Sequence, residues 1–415
     1  MIAATVLLWL AAAAVPPGDL HQYGSVDREM AVFNPRYQDL MRARVAKVRE
    51  LERQVLDRES AGRSTACSHQ ILTELDWLTG DTADFARIDR RIDDLTATLQ
   101  NPAREESARE QDTDGSWGAC STEWFFKLDA SYDQLHDEER FPKPKYEYRF
   151  LDRVNSPDKL RSYFDAIWVS DIAHTGIDNR RAFNESLSDL MRLILHDRPS
   201  TYRWHPQLKE TLMDLVLHRY RGKDTGFWGT KYVRNGGVEF VDDLSVTYHV
   251  VSYLKGEVPD LATMVNTLLA VRDLPYPIGW LRGGFRYSNH HNMDVVVLLR
   301  YGWPYLSDSQ KQAVSAEIRK MVRWCVTESL QSDGSFRLEA GEDSIEEQTY
   351  FAVAFLARAG YFDKSRLFWT TEEFPGADAH RQAIISFIGK HRASGGAGGG
   401  YYQDALDELK IKAKR

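Results

Sequence analysis

The residues best suited to chemistry lie in three short polar clusters: Glu239-Phe240-Val241-Asp242-Asp243, Tyr287-Ser288-Asn289-His290-His291-Asn292-Met293-Asp294 and Glu342-Asp343-Ser344-Ile345-Glu346-Glu347. Each stands just before or inside the start of an apolar run, so each is expected to open a helix. Carboxylates and amides there also cap free N–H groups and complement the helix dipole, and capping is the plain alternative for any single cluster. The middle cluster is the sharpest. His290 and His291, flanked by Asn289 and Asn292 and preceded by Arg282, Arg286 and Tyr287, offer a base near neutral pH, amide donors for an oxyanion and guanidinium charge. Adjacent histidines on a helix point about 100° apart, so a shared ion is not expected, and neither a metal nor a cofactor is assigned. Asp242 and His249 are seven residues apart and would share a helix face, as would the i, i+4 pairs Asp343 with Glu347 and Glu346 with Tyr350. Carboxylates paired across a cleft could act as the acid and base of glycoside hydrolysis, which brings Asp243 and Glu346 into the candidate set. Trp228, Trp280 and Phe285, with Asn292, Asp294 and Tyr350, are the candidate substrate contacts, since amphipathic aromatic faces suit sugar rings. Asp171, His174, Asp178, Asn179 and Arg180 could extend the rim.

The elements that must position these residues are helices. Gly-aromatic turns recur as Gly115-Ser116-Trp117, Gly226-Phe227-Trp228-Gly229, Gly283-Gly284-Phe285 and Gly334-Ser335-Phe336, the last three at roughly 50–60-residue intervals, as in helical-hairpin repeats. Ser170 to Gly176 reads as a degenerate member. Paired helices are expected between the turns: His205–Tyr220 and Val241–Leu254, Leu261–Val271 and Met293–Arg300, Asp308–Ser329 and Ser344–Ala359. The first of each pair is amphipathic and the second is poor in charge beyond its first turn, which places the second inside. No long period-two alternation occurs, so a β-sheet body is not expected. The fold class expected is all-α: an α/α toroid over residues 115–393, preceded by a helical hairpin over 25–105 (Tyr37–Ser60 and Ser68–Gln100) and a polar linker, Asn101–Asp114. Residues 394–415 read as a Gly-rich linker and a charged C-terminal helix.

Composition bounds the rest. A net charge of -8 provides no basic field for a phosphate backbone, so nucleic acid is not an expected partner. The apolar run Ile2 to Ala14, closed by Val15-Pro16-Pro17, matches the core of an export signal over residues 1–18 but lacks a basic start. A secreted or periplasmic location is expected, with an N-terminal membrane anchor or a mis-set start codon as alternatives. Cys67 and Cys120 could be bridged, whereas Cys325 sits in an apolar helical run and reads as a buried small hydrophobe.

The turn Gly226-Phe227-Trp228-Gly229 before an apolar helix, and Gly283-Gly284-Phe285 before Asn289-His290, resemble the α/α-toroid superfamily of six-hairpin glycosidases, toroid polysaccharide lyases and terpenoid cyclases. The resemblance is architectural and covers roughly Gly115 to His391. It implies an enzyme cleaving a polysaccharide or oligosaccharide. Asn289-His290 is similar to the Asn-His pair of toroid alginate-lyase-like enzymes. Carried over, Asn289 and Arg286 would neutralise a uronate carboxylate, and His290 or Tyr287 would remove the proton α to it. The alternatives are a glycoside hydrolase using the carboxylates and a scaffold that binds carbohydrate without turnover. The Asp-x-Asp-Asp run of protonating cyclases is one Asp short at Val241-Asp242-Asp243.

Overall fold

The structure is a computed structural model describing residues 26–136, 143–196, 199–234, 236–281, 287–338, 344–392 and 399–410. It is mostly helical, with 64% helix against 6% strand, which makes the protein all-α. In chain order the helices are α1 (Val26–Phe33), α2 (Tyr37–Ser60), α3 (Ala66–Asp81), α4 (Phe85–Gln100), α5 (Pro102–Ser107), α6 (Trp124–His136), α7 (Pro157–Ile167), α8 (Ile172–Thr175) and α9 (Arg180–Leu195). They continue with α10 (Leu208–Asp214), α11 (Leu244–Tyr253), α12 (Leu261–Ala270), α13 (Asn289–Gly302), α14 (Asp308–Trp324), α15 (Ile345–Arg358), α16 (Ala377–Arg392) and α17 (Gly399–Leu409).

Six helices pack in the succession α6, α9, α11, α13, α15, α17. The last returns to the first, because a Cβ on Gly400 would stand 3.0 Å from Asp133 Oδ2 on α6. The apolar middles of α11, α13 and α15 are buried, including Val246, Val250, Val295, Leu298, Val353 and Phe355. The amphipathic α12 packs against α13, as the charge pattern predicts, and α16 packs against α17, the helix that the sequence sets apart behind a Gly-rich linker.

The Gly-aromatic turns are the joints of this arrangement. The Asp114-Gly115-Ser116 and Asp333-Gly334-Ser335 turns repeat the same bonds. Each Asp accepts from its Ser at 3.0 Å through N–H and at 2.6 or 2.7 Å through Oγ–H. The glycines adopt φ of +88° and +91°. The helices before two of these loops, α10 and α14, end in π-helical turns at Leu215–Arg219 and Cys325–Ser329. Trp228 and Trp280 each donate an indole N–H to a carbonyl twelve residues back, on Val216 at 2.6 Å and Leu268 at 2.9 Å. The aromatic thus plugs the end of the preceding helix and satisfies a terminal carbonyl that burial would otherwise leave unpaired.

Several expectations change. The segment expected as one helix from Ser68 to Gln100 is two, α3 and α4, because Asp84 caps a new helix by accepting from Arg87 N. The expected linker from Asn101 begins with α5, whose buried Glu105 accepts from Cys67 N and Ser68 N at 2.9 and 3.1 Å and so caps α3. Cys67 and Cys120 form a disulfide, and Cys325 is a buried cysteine outside it. A small sheet also forms: β1 (Val169–Ser170) runs parallel to β2 (Gly229–Arg234), which pairs antiparallel with β3 (Gly237–Asp242). The expected degenerate repeat at Ser170 to Gly176 is therefore a strand end and the short α8. The N-terminal helices join the main core through Trp77, set edge-on to Phe125 and Phe126 at 5.4 and 6.0 Å, contacts worth about 0.5–1.5 kcal/mol each beyond burial.

Candidate functional site

The starts of α9, α11 and α13 bring polar side chains together, though not in the predicted pattern. Asp243 caps α11 by accepting from Val246 N at 3.0 Å, and its second oxygen accepts from Arg180 at the start of α9. It is spoken for twice. Asp242 lies in β3 rather than in the helix, so it does not share a face with His249. It accepts from Thr225 Oγ at 2.7 Å, and burial pushes its carboxyl up to about 6.

The middle cluster splits as the helical twist requires. Asn289 is fully buried and donates to Ser329 Oγ at 2.8 Å, toward α14. Tyr287 also turns to α14, donating to Glu317, and burial together with that carboxylate raises its pKa. Neither stands with His290. The His290 ring stacks on Phe351 of α15, with centroids 3.9 Å apart and planes 4° from parallel, while His291 stacks on Tyr276 at 3.8 Å and 6°. Tyr276 donates onward to Asp294 at 3.0 Å. Asp294 and Asn292 are fully buried, and desolvation raises the Asp294 pKa well above its ordinary value. Trp228 and Trp280 are 0% and 2% exposed, so the structure gives them the helix-plug role and no sugar-facing surface. Glu346 and Glu347 are half-buried in the first turn of α15, where Ser344 provides the cap. Arg286 and Phe285 lie outside the described residues, as do Asp343 and the Gly283-Gly284 turn.

A second set faces His290. On α11, His249 Nδ1 and Tyr253 OH are 3.0 Å apart, and Ser188 on α9 lies 3.0 Å from the same hydroxyl. Desolvation depresses His249 to about 3, and His290, Arg192 and Arg180 push the same way, which places all three near it. Desolvation depresses His290 to about 4. Both imidazoles are therefore neutral at pH 7. Arg192 lies over the Tyr132 ring at 3.6 Å and makes no ion pair among the described residues. Beyond it, Asp189 on α9 is 5% exposed, yet Asp129 on α6 is solvent-exposed. Desolvation is nonetheless the largest cause of the Asp129 rise to about 7. Both observations hold if Asp129 opens onto an enclosed, water-reached space. His249, His290, Tyr253, Arg192, Tyr350 and Phe351 are all part-exposed, and the same space accounts for them.

Comparison with protein-family models, curated proteins and solved structures finds no match. Among the described residues no group of three or more His, Cys, Asp or Glu side chains is arranged to hold a metal ion, and no helix is long and apolar enough to cross a membrane.

The sequence singled out His290 and Tyr350 as candidates and gave no place to Arg192, Tyr253, Asp129 or Asp189. A signal existed for two of them. Asp189 and Arg192 interrupt the apolar face of Leu187-Ser188-Asp189-Leu190-Met191-Arg192-Leu193, and an ionisable group in a helix that packs on both sides asks for a reason.

Proposed function

We propose that α6, α9, α11, α13, α15 and α17 are the inner ring of an α/α toroid and that the protein is a carbohydrate-active enzyme cleaving a uronate-containing polysaccharide by β-elimination. The observation that carries this reading is the His290 imidazole, stacked flat against Phe351 and kept neutral by desolvation, together with an Arg192 guanidinium that acts with it on His249 and has no carboxylate partner among the described residues. Arg192 pairs with the uronate carboxylate and makes the α proton more acidic. His290 removes that proton, a double bond forms within the ring, and the glycosidic C–O bond breaks. Tyr253 supplies the proton to the leaving oxygen. Burial raises its pKa, so its hydroxyl is protonated at neutral pH, and His249 orients it. In this mechanism Asn289 and Tyr287 act as supports of α13 rather than as neutraliser and base.

The export signal at residues 1–18 belongs to the same proposal, since an enzyme acting on polymeric sugars meets its substrate outside the cytosol. The test is incubation of the protein with acidic and neutral polysaccharides, following unsaturated uronate absorbance and new reducing ends together. Absorbance and reducing ends that vanish in His290→Ala and Arg192→Ala, with both variants folded, support the reading. Reducing ends without absorbance would replace elimination with hydrolysis, and silence in both channels across the panel would leave a binding scaffold.

A further inference from the structure

The space beside His290 has an acidic side that the elimination does not use. Asp133 of α6 and Glu185 of α9 lie close enough to add to the raised pKa values of Asp129 on α6 and Asp189 on α9, and Asp133 adds to that of Asp404 on α17, desolvation being the largest cause in each. Arg181 and Arg192 face them, as does His136, whose Nδ1 lies 3.9 Å from Asp133 and which carries charge only when protonated. Arg181 already pairs with Asp76 and Glu185 at 2.6 and 2.7 Å, and Arg192 is assigned above to the substrate carboxylate.

Independently of this charge, two oxygens of the cluster lack donors. Among the described residues Asp189 Oδ2 and Glu185 Oε2 have no hydrogen-bond partner, and Asp189 is only 5% exposed. Asp129 accepts no hydrogen bond among the described residues and is exposed, as are Asp133 and Asp404. A buried acceptor left unsatisfied costs about 1–3 kcal/mol, so the fold maintains here a group of acceptors waiting for donors. Tyr350 and Tyr401, with ring centroids 5.7 Å apart, stand on the same side of α15 and α17, and Tyr401 is 41% exposed. They offer an aromatic face beside the acids.

We infer that Asp129, with Asp189 and Glu185 behind it, forms a subsite for the ammonium group of an amino sugar. The substrate is then a polymer carrying both uronate carboxylates and free hexosamine amines, its carboxylate meeting Arg192 and its amine meeting Asp129. An ammonium brings three donors and one positive charge, which answers both the donorless oxygens and the surplus of carboxylates. An N-acetylated sugar brings one neutral N–H and answers neither. The inference rests on the sugar-cleaving reading and names its substrate class.

The test is binding, which needs no turnover. Calorimetry on the full chain at about pH 7.5, above the Asp129 value of about 7 and below the roughly 7.7–8 of an α-amino group, compares a glucosamine tetramer with the N-acetylglucosamine tetramer. The free-amine tetramer is expected to bind about tenfold tighter or more, as close charge pairs in enclosed sites do. Asp129→Asn and Asp189→Asn should each abolish the preference, while Glu373→Gln, exposed beside Lys364, should keep it. Should Asp189→Asn fail to fold, Asp129→Asn carries the test, since its side chain is exposed. Equal affinities, no binding of either tetramer, or a preference that survives Asp129→Asn would overturn the inference. A selective amine site in a protein that cleaves nothing would defeat the elimination alone, and uronate cleavage without amine selectivity would defeat the subsite alone.

Discussion

Replacing Gly226 with alanine tests whether the Gly-aromatic turns are seated on the neighbouring helix or merely free to bend. Gly226 has φ +73°, and a Cβ there would lie 2.8 Å from Met264 N and 3.0 Å from its Cα, both backbone atoms of α12. Gly62, in the turn between α2 and α3, has a similar φ of +70° but nothing within 4 Å of its Cβ position. Both substitutions carry the left-handed backbone penalty, about 1–2 kcal/mol. Only Gly226→Ala also forces a helix backbone to shift, at the roughly 1–3 kcal/mol typical of overpacking. The expected losses are therefore about 1–2 kcal/mol for Gly62→Ala and about 2–5 kcal/mol for Gly226→Ala. Urea unfolding followed by far-ultraviolet circular dichroism measures both, with equal m-values confirming a common reference state. Equal losses in the two variants would refute the claim that the turn rests on α12.

Three other outcomes follow from the same geometry. Because His290 is depressed to about 4, the acid limb of kcat/KM for uronate cleavage should fall near pH 4; a limb at the ordinary histidine value near 6.5 would exclude His290 as the base. The raised Asp129 pKa means the folded chain holds a proton that the unfolded chain has released between about pH 4 and 7, so this group contributes less stability as pH rises through that window. Asp129→Asn should gain stability relative to wild type as pH goes from 4 to 8 in thermal scans, and a difference that stays flat would contradict the desolvation argument. Replacing both Cys67 and Cys120 by serine opens a cross-link between residues 53 apart and should cost about 4 kcal/mol by loop entropy, read as a lower urea midpoint that matches wild type under reductant.

The paired helices were legible because burial writes itself into charge spacing. The helix expected at Asp308–Ser329 is observed as α14 with its π turn, and that expected at Ser344–Ala359 as α15. The β2–β3 hairpin was not, although Asn235-Gly236 is a strong hairpin signal and Gly236 takes φ +78°; its strands are short and its neighbours are helices, so no long alternation announces it. The site was half legible. Composition and position singled out His290, but which way a residue faces depends on a rotation of about 100° per residue, and that rotation sends Asn289 to Ser329 while His290 meets Phe351. The aromatic signal misled for a physical reason: Trp228 and Trp280 have the amphipathic character suited to sugars, and the same character suits an indole that must bury its face and satisfy a helix-end carbonyl.

The return of α17 to α6 has a consequence for the order of folding. Gly400 stands against Asp133 across about 270 residues of chain, a contact of very high sequence separation, whose loop-closure entropy must be met before the contact rewards it. Local pairs such as α3 with α4 carry no such cost and are expected to form first. Until α17 docks, Arg358 lacks the counter-charge of Glu408, with which it pairs at 3.2 Å, so the wall that holds Tyr401 and Glu408 is expected to close late.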